Sequence, residues 1–477
     1  MHELLEALNG DLIRKYEQIR SPYYTTYPTG GEWDSDFDHS NYADALKQST
    51  SPGQKVPLAL YIHFPYCPEL CYYCCCIKTI SKNRERITVY LDYLHREIDL
   101  LLSHFDDLGV EPDVREIHFG GGTPTYMKRH EFEGLFKKLR TFVDLKNLDE
   151  CTLEIDPRTV TTEDMHYYLQ TGVNRISFGI QDFDPKVQKA INRIQPYEMI
   201  EPLIKGELRK CGVSFDLIYG LPFSSQESFR ETLRLVKQLS PDRLAIYNYD
   251  HTPDIHKGMR AIRAADLPNL EEKTLMYVEG VTNLLNNGYE YVGIDHFAKA
   301  TDKMAIAYKK KTVWRNLNGY TTERNYNFEI GLGVSSISSF ERYYVQSIKK
   351  ETDYYQSINN QSLPVLRGRK LTDDDVIRRE LILTILCHHY ADHSKIENKY
   401  GIRFSEYFEE ELKTLQELEK DGFVEIGDDF LKVTGLGKIF VHHVCKSFDK
   451  YLNRNGEYMR THAAIIKEQT VSNTNFV

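Results

Sequence analysis

A cluster of five cysteines is the chemically most distinctive feature of the sequence. Cys67, Cys71 and Cys74 have C-x3-C-x2-C spacing, and Cys75 and Cys76 follow directly. Thiolates crowded on one short loop bind soft metals, so they predict an iron-sulfur cluster or a zinc ion. A structural zinc usually draws its ligands from two separated pairs. Three thiolates on one loop would instead leave one iron of a four-iron cluster open to another ligand, and we expect the cluster.

The run GGGTP at residues 120–124 is a second candidate site. Glycines let a ligand approach the backbone closely and expose amide and carbonyl groups to it. By itself, such a run is more often a tight turn. Here it follows the second β-rich run of the chain, and the cysteines follow the first. Both loops are therefore expected at the same edge of a sheet.

Six β-rich runs alternate with amphipathic stretches, which predicts a parallel sheet covered by helices. The runs lie at 58–64, 116–119, 152–155, 175–180, 215–219 and 244–249, and helices are expected at 85–103, 129–143 and 228–239. The predicted fold class is α/β, a partial (β/α)6 parallel barrel with its active site at the carboxyl ends of the strands. Residues 291–296 could form another strand, and residues 298–327 show no regular pattern.

The last part of the chain predicts a small helical, winged-helix-like domain. Its hairpin is expected at 423–433, around Gly427, Asp428 and Asp429. Acidic residues outnumber basic ones between positions 371 and 450, which is the wrong balance for a phosphate-binding surface. The sequence therefore predicts no nucleic-acid partner.

Composition narrows the class of protein further. The 477 residues carry a net charge of −10, and 41% of them are hydrophobic, which excludes collagen-like and mainly disordered chains. No apolar run is long enough for a membrane span, and residues 1–20 lack the basic end and apolar block of a signal peptide. Clustered cysteines are typical of metal binding in a reducing compartment. We expect a cytoplasmic monomer.

A series of further motifs makes a family resemblance specific. In chain order they read IHFGGGTPT, LEIDPR, RISFGIQDF, INRIQ, DLIYGLP, DHFA, RNLNGYTT and IGLGVSSIS. The three-cysteine loop and the glycine loop resemble the radical S-adenosylmethionine (SAM) superfamily. The whole series is similar to the oxygen-independent coproporphyrinogen III oxidases, or coproporphyrinogen dehydrogenases, of haem synthesis, and it covers nearly the whole chain.

The resemblance implies a 4Fe-4S cluster and two SAM molecules as cofactors. It assigns Cys67, Cys71 and Cys74 as metal ligands, Cys76 as a catalytic residue and His63 as a supporting residue near the cluster. The first SAM would be lined by Tyr61, Gly121, Glu154 and Ile337. The second SAM would be lined by Tyr73, Gly122, Thr123, Gln181, Arg193, Asp216 and Asp250.

The implied reaction is a radical decarboxylation. Reduction of the cluster would cleave SAM to a 5′-deoxyadenosyl radical, which abstracts a β-hydrogen from each of two propionates of coproporphyrinogen III. Loss of carbon dioxide and one electron would then leave the vinyl groups of protoporphyrinogen IX. The implied partners are this porphyrinogen substrate and a reduced flavodoxin- or ferredoxin-type electron donor. The implied domains are an N-terminal extension covering the active site (1–52), the barrel (53–365), the helical domain (366–455) and a tail (456–477).

Three positions depart from the family pattern. Cys75 stands where the family has glycine, Tyr23 where it has arginine, and Asp250 where it has a small residue. Tyr23 removes a cation expected near the substrate carboxylates, and Asp250 adds a charge beside the second SAM. Two alternatives therefore stay open: a radical SAM methyltransferase or cyclopropanase of the related two-SAM subgroup, and a non-catalytic haem carrier on the same scaffold.

Overall fold

The computed structural model describes residues 10–17, 22, 24–323 and 328–452. Its chain forms two compact units. The barrel unit comprises Asp34–Pro268 and Asn325–Lys370, and the helical unit comprises Met1–Trp33, Asn269–Arg324 and Leu371–Val477. The predicted tail at 456–477 and the departure at Tyr23 lie outside the described residues. The predicted linear domain boundaries stay a prediction.

The secondary structure alternates between strands and helices over most of the chain. The strands are β1 (Lys55–Phe64), β2 (Tyr66–Cys67), β3 (Thr79–Ile80), β4 (Glu111–Gly121), β5 (Glu150–Ile155), β6 (Arg175–Gln181), β7 (Gly212–Tyr219), β8 (Arg243–Asn248), β9 (Tyr289–Gly293), β10 (His296–Lys299), β11 (Trp314–Asn316), β12 (Gly319–Thr321), β13 (Glu329–Leu332), β14 (Ile337–Ser339), β15 (Tyr343–Gln346), β16 (Arg367–Lys370), β17 (Tyr390–Asp392), β18 (Val424–Ile426) and β19 (Phe430–Val433). The α-helices are α1 (Gly10–Glu17), α2 (His39–Ser49), α3 (Arg84–Leu108), α4 (Arg129–Leu139), α5 (Thr162–Thr171), α6 (Pro185–Ala190), α7 (Tyr197–Ile200), α8 (Gln226–Leu239), α9 (Leu270–Asn286), α10 (Lys303–Lys310), α11 (Glu351–Asn359), α12 (Asp373–His388), α13 (His393–Tyr400), α14 (Phe404–Tyr407), α15 (Glu409–Lys420), α16 (Gly435–Ile439) and α17 (Val441–Lys446).

The barrel unit is built on one sheet with the strand order β16-β15-β14-β13-β1-β4-β5-β6-β7-β8. The pairings from β13 through β8 are all parallel, whereas β14, β15 and β16 pair antiparallel at one edge. The six predicted strands correspond to β1 and β4 to β8, so the predicted α/β fold with a parallel sheet is confirmed. Parallel order brings the carboxyl ends of these strands to one edge, where the cysteine and glycine loops follow.

The crossover helices begin and end where the local sequence predicts. Ser225 caps α8 by accepting from the backbone N–H of Ser228, and the helix buries Phe229, Leu233 and Val236 at helical spacing. α3 ends at Gly109, which has φ of 64°, a conformation that glycine adopts without steric cost. These helices cover the sheet with their apolar faces and leave the strand ends open for the loops.

The helical unit contains the predicted hairpin. β18 and β19 form an antiparallel pair that β17 extends, in the order β17-β19-β18. The possible strand at 291–296 is confirmed in part: residues 291–293 belong to β9, but the chain then reverses at 294–295 into an antiparallel hairpin with β10. Ile294 lies in the turn with φ of 47°. Isoleucine rarely adopts this conformation, so the residue type does not indicate a turn. The unpatterned residues after this hairpin include α10, β11 and β12, which are too short to show a period.

None of the helices in the described ranges combines the length and the apolar content that a membrane crossing requires.

A buried carboxyl group ties α3 to the sheet. Glu97 accepts hydrogen bonds from the backbone N–H of Gly333 at 2.7 Å and from the hydroxyl of Tyr354 at 2.6 Å. Tyr90 of the same helix donates to the His63 carbonyl at 2.6 Å. Burial raises the pKa of Glu97 to about 7, although both hydrogen bonds oppose this shift. α3 thereby holds the end of β1 against the turn that follows β13.

The Glu97 carboxyl should make the stability of the protein depend on pH. Its folded pKa lies above the ordinary value of 4.5, so the folded state binds the proton more tightly than the unfolded state. The contribution of this proton to the free energy of unfolding is complete below the unfolded pKa. It is lost as pH rises through about 7, and the loss is about 3 kcal/mol. Glu97→Gln keeps an oxygen acceptor and cannot titrate, so its free energy of unfolding should fall less between pH 5 and pH 8.

Urea unfolding of both proteins at the two pH values measures this difference. Glu133→Gln, at an exposed position on α4, is the matched control and should keep the wild-type pH dependence. Equal losses of stability in wild type and Glu97→Gln would contradict the assignment of the proton to Glu97.

Candidate active site

The cysteine loop connects two short parallel strands at the end of β1. Cys67 ends β2 and lies opposite Ile80 of β3, so the loop between them is closed at its base. The structure describes all nine cysteines, and none forms a disulfide. The five thiols of the loop range from buried to exposed: Cys67 and Cys71 are buried, Cys74 is half-buried, and Cys75 and Cys76 are exposed.

Three side chains from the loops that follow β4, β5 and α6 donate hydrogen bonds to the first two sulfurs. The Thr123 hydroxyl donates to Cys67 Sγ at 3.2 Å. Arg158 Nη2 and Arg193 Nη1 donate to Cys71 Sγ at 3.4 and 3.5 Å. Donors and cations directed at a sulfur stabilise its thiolate form. These hydrogen bonds would therefore support Cys67 and Cys71 as sulfur ligands once a cluster is bound.

This donor set fits a sulfur-bound cluster. Hydrogen bonding from Cys76 and the charge of Lys78 lower the pKa of Cys74 to about 6, although burial opposes the shift. Burial raises the pKa of the Cys67 thiol to about 12, and the Thr123 hydrogen bond acts against that rise. In the part of the chain that the structure describes, no three His, Cys, Asp or Glu side chains are arranged closely enough to hold a metal ion. The fit therefore rests on the thiols being together on one loop and on the donors that face them.

Two arginines are fixed beside the sulfurs by one carboxylate. Asp156 accepts from Arg158 Nη2 at 2.7 Å and from Arg193 Nη1 at 3.1 Å. Burial would raise the pKa of Asp156, but the charges of Arg193 and Arg158 lower it. Arg193 also donates to the Gly179 carbonyl and to Gln195 Oε1. Arg193, which was predicted to line the second SAM, thus pairs with a carboxylate of the protein itself, that of Asp156.

The glycine loop packs directly onto the base of the cysteine loop. A Cβ atom at Gly122 would lie 2.6 Å from both the carbonyl carbon and the oxygen of Pro65. Gly121 has φ of 109°, and a Cβ atom there would lie 2.5 Å from the His63 ring. The N–H of Gly122 donates to the Phe64 carbonyl at 2.8 Å. These contacts make glycine a requirement at both positions, and the two candidate loops form one site.

His63 is held as a neutral ring between two partners. Its Nε2 lies 3.1 Å from the Ile77 carbonyl, which can only accept, so Nε2 carries the proton. Its Nδ1 then accepts from the Tyr61 hydroxyl at 3.1 Å. Burial lowers the pKa of His63 to about 4. At neutral pH both ring nitrogens are therefore engaged, and the ring links β1 to the end of the cysteine loop.

Glu154 presents a carboxylate next to Tyr61 and the glycine loop. One of its oxygens accepts from the N–H of Gly121 at 3.3 Å, and the other lies 2.9 Å from Nε2 of His118. Burial opposes the charged form of His118, but the hydrogen bond to Glu154 raises the pKa of the imidazole. The Glu154 side chain is 40% exposed, so it keeps a surface for a ligand.

Ile337 is brought to the same place by the edge of the sheet. Gly331 of β13 pairs with Tyr61 of β1, and a Cβ atom at Gly331 would lie 2.5 Å from the Ile337 carbonyl oxygen. Gly331 therefore lies between Tyr61 and Ile337, which are one strand apart in the sheet. The Ile337 side chain is half-buried.

Gln181, Arg193 and Asp216 meet around Gly179 of β6. A Cβ atom at Gly179 would lie 2.7 Å from Gln181 Nε2 and 3.0 Å from Arg193 Nη2. Asp216 of β7 is the register partner of Gly179 and accepts from Ser177 at 3.2 Å. Gln181 itself has φ of 64°, a strained conformation for a residue with a side chain.

Tyr73 and Asp250, the last two residues predicted to line the second SAM, have different surroundings. Burial raises the pKa of Tyr73 well above its usual range, and the nearby charge of Arg193 acts in the opposite direction. Asp250 is exposed, two residues beyond β8, and its charge acts on Tyr249 and His256. Among the described hydrogen bonds and ion pairs, none joins Asp250 to the group around Gly179.

Sequence reasoning missed four residues of this site: Asp156, Arg158, His118 and Lys78. Lys78 donates to the carbonyls of Cys74 and Cys76 and so holds the cysteine loop closed. The DPR triplet after β5 is the signal that could have identified Asp156 and Arg158, because an aspartate that caps a turn can also bind an arginine two residues on. No comparable signal marks His118.

Comparisons with known proteins agree with this geometry. Residues 61–236 match the model of the radical SAM superfamily. The oxygen-independent coproporphyrinogen III oxidase of Escherichia coli is 37% identical over 445 residues, which are 93% of this chain and 95% of that protein. This chain belongs to the oxygen-independent coproporphyrinogen III oxidase family. The predicted family is therefore confirmed, and membership of the superfamily implies a 4Fe-4S cluster and SAM as cofactors.

Other members of the family show the same extent of similarity. The oxidase of Pseudomonas aeruginosa is 38% identical over 93% of this chain and 96% of that protein. The solved structure of coproporphyrinogen III oxidase from Escherichia coli, described as a radical SAM enzyme, superposes with a TM-score of 0.85 over 91% of this chain and all of that one. Residues 371–440 match the model of the HemN C-terminal domain. The predicted C-terminal domain is thus a family feature.

Proposed function

We propose that this chain catalyses the oxygen-independent oxidative decarboxylation of two propionates of coproporphyrinogen III, giving protoporphyrinogen IX. The observation that carries the proposal is 37% identity over 93% of the chain to an oxidase of this name. When bound, the cluster and SAM would supply the 5′-deoxyadenosyl radical that removes a hydrogen from each propionate side chain. The chain itself binds, orients and shields the reacting groups.

Cys67, Cys71 and Cys74 would hold the cluster. The hydrogen bonds from Thr123, Arg158 and Arg193 support this assignment for the first two, because they place positive charge and donors beside sulfur atoms. Cys76 is exposed at the end of the same loop, where its thiol could act on bound substrate. His63 has both nitrogens engaged, so we assign it a positioning role between Tyr61 and the loop.

The first SAM would bind at Tyr61, Gly121, Glu154 and Ile337. Support comes from their adjacency at the ends of β1, β4 and β5 and beside β13. The Glu154 carboxylate can accept from an ammonium or a ribose hydroxyl, and the tyrosine and isoleucine offer apolar surface to an adenine ring.

A second SAM would bind beside Gly122 and Thr123, along the group formed by Tyr73, Gln181, Arg193 and Asp216. Support comes from the meeting of the last three around Gly179. Because Arg193 is committed to Asp156 and to backbone carbonyls, we assign it to fixing the site and Asp216 to contacting the ligand.

Asp250→Ala should weaken the second SAM selectively. A carboxylate near the sulfonium or ammonium of SAM attracts it by about 4 kcal/mol at 4 Å and an effective dielectric of about 20, before desolvation is subtracted. We expect two sites in wild type and one in Asp250→Ala, with cluster content unchanged. Anaerobic equilibrium binding of SAM to both proteins measures this. Identical two-site isotherms would show that Asp250 does not hold the ligand.

The electron donor, the oligomeric state and the compartment belong to the same proposal. We infer a reduced flavodoxin- or ferredoxin-type donor and a monomer. The absence of disulfides among the nine described cysteines supports a reducing compartment, which we take to be the cytoplasm.

Product analysis tests the proposed reaction. Holoprotein reconstituted anaerobically with iron and sulfide receives SAM, dithionite and coproporphyrinogen III, and vinyl product, carbon dioxide and 5′-deoxyadenosine are followed together. We expect two carbon dioxide molecules per protoporphyrinogen IX. S-adenosylhomocysteine among the products would favour the methyltransferase or cyclopropanase. Haem binding without SAM cleavage would favour the carrier.

A further inference from the structure

A row of register partners crosses the antiparallel edge of the barrel sheet, beside the proposed first SAM site. Ile337 of β14 pairs with Gln346 of β15, and Gln346 pairs with Arg367 of β16. Directly opposed residues of antiparallel strands share a face, so the three side chains lie side by side. The backbone of Arg367 is two strand spacings, or about 10 Å, from that of Ile337. The row therefore extends the site edge of the sheet.

Gln346 holds the Arg367 guanidinium in this row. Its Oε1 accepts from Arg367 Nε at 2.7 Å, and its Nε2 donates to the Ser335 carbonyl at 3.3 Å. Gln346 is buried, and an amide that is engaged at both ends has a fixed orientation. A positive charge is thereby fixed at the edge of the sheet where the proposed first SAM would bind.

Lys349 brings a second positive charge close to Arg367. It lies three residues beyond the end of β15, and its side chain is half-buried. Burial and, as the smaller effect, the positive charge of Arg367 lower the pKa of Lys349 to about 8. Like charges that are held together partly out of water disfavour each other's charged form. An anion bound between them would remove this cost.

No carboxylate in the described part of the chain compensates Lys349. The acidic side chains nearest to it in sequence are Glu351 and Asp353. Glu351 accepts from Arg86 at 2.9 and 3.1 Å, and Asp353 pairs with Lys350 at 3.2 Å. Neither carboxylate contributes to the lowered pKa of Lys349 or opposes it. The lysine is therefore a cation without an anionic partner among the described residues.

A buried hydroxyl group belongs to the same segment. Ser347 lies between Gln346 and Lys349 in the chain and is 5% exposed. Its Oγ has no hydrogen-bond partner among the described residues, whereas its backbone N–H donates to the Ser336 carbonyl at 2.8 Å. A buried hydroxyl without a partner costs free energy. An oxygen of a bound anion would satisfy it.

We propose that Lys349, Arg367 and Ser347 bind one carboxylate of the tetrapyrrole substrate, on a propionate other than the one that is reacting. This inference rests on the proposed function, since coproporphyrinogen III carries four propionates. In the sheet order the site is two strands further from the cysteine loop than Ile337, so a carboxylate bound there is held away from the radical. It also supplies positive charge in a chain that has Tyr23 where the family pattern has arginine.

Removal of the lysine charge tests the proposal. The variant is Lys349→Gln in reconstituted holoprotein, and the probe is coproporphyrin III, the oxidised form of the substrate, whose fluorescence is followed in an anaerobic titration. We expect its dissociation constant to rise about ten-fold, as for the loss of one charge-assisted hydrogen bond. With coproporphyrinogen III and dithionite, KM should rise by a similar factor. The kcat should stay near the wild-type value, because this contact is the same before and during the reaction.

Lys350→Gln is the matched control, because it makes the same change in net charge at an exposed lysine one position further on. It should bind coproporphyrin III like wild type. Lys349→Arg keeps the charge and should restore most of the affinity. Lys349→Gln should remain folded, because a neutral side chain avoids the cost of burying a charge. Thermal unfolding of each variant checks this.

Two results would overturn the proposal. One is a coproporphyrin III affinity that is the same in wild type and Lys349→Gln, or that falls equally in Lys350→Gln. The other is weaker SAM binding in Lys349→Gln with unchanged coproporphyrin III affinity, which would assign the bound carboxylate to the methionine part of SAM. Absence of coproporphyrin III binding to the wild type would also contradict the site.

These outcomes are distinct from a failure of the proposed function. A wild-type protein that binds coproporphyrin III but forms no vinyl product with dithionite as reductant lacks the proposed activity. The affinities of the variants still decide where a tetrapyrrole carboxylate binds.

Discussion

Gly122→Ala should abolish retention of the cluster and reduce turnover by at least about 100-fold. The added methyl would lie 2.6 Å from the carbonyl carbon and oxygen of Pro65 and 2.9 Å from the amide nitrogen of Tyr66. These are backbone atoms at the base of the cysteine loop, so no side-chain rotation relieves the contact. Overpacking of this kind commonly costs about 1–3 kcal/mol, and here the movement displaces Cys67, which directly follows Tyr66.

Iron and sulfide content after anaerobic reconstitution measures the effect. Gly134→Ala on α4 is the matched control, because its nearest neighbour would be a His95 ring carbon at 4.0 Å. Alanine in a helix interior is more favourable than glycine by about 1 kcal/mol. The control should therefore keep its iron and gain thermal stability. A Gly122→Ala protein with a full complement of iron would show that the glycine loop tolerates movement.

Single replacements along the cysteine loop should separate ligands from neighbours. Cys67→Ser, Cys71→Ser and Cys74→Ser should each lose essentially all of about four irons per chain, because each removes one of only three thiolates. Cys76→Ser should keep its iron and lose turnover. Cys75→Ser, between Cys74 and Cys76, is the matched control, and it should keep both iron and turnover.

Iron analysis and the visible absorption of the anaerobic proteins give the result. If Cys76→Ser loses iron as completely as the other three, the ligand set is misassigned. Stoichiometric zinc in place of iron in the wild-type protein would contradict the cluster altogether.

The strands that carry the site could be predicted because their signals are local. β1 and β4 to β8 are short apolar runs that end in glycine, proline or polar residues, and each buries alternating or continuous apolar positions. The cysteine loop was recognisable because its ligands lie close together in sequence. The reversal between β9 and β10 was not predicted, because the turn residue with φ of 47° is Ile294, whereas glycine or asparagine usually marks such a position.

The electrostatic part of the site could not be predicted in the same way. Arg193 was predicted to line the second SAM, and its local sequence gave no sign of its partner Asp156, which follows a different strand. That partner is fixed by the parallel order of β5 and β6, which no local pattern reports. Lys78 binds two backbone carbonyls of the loop, and a lysine has no sequence signal for that role.

The hydrogen bonds to the two buried sulfurs also set an order for the biogenesis of the enzyme. Thr123, Arg158 and Arg193 lie 56, 87 and 122 residues away in the chain from the cysteines they contact. A nascent chain that has just exposed the cysteine loop has none of these donors in place. The thiols gain their compensating charges only after the strands through β6 have assembled. The donors that would support a sulfur-bound cluster are therefore complete only in the folded barrel and not on an emerging loop.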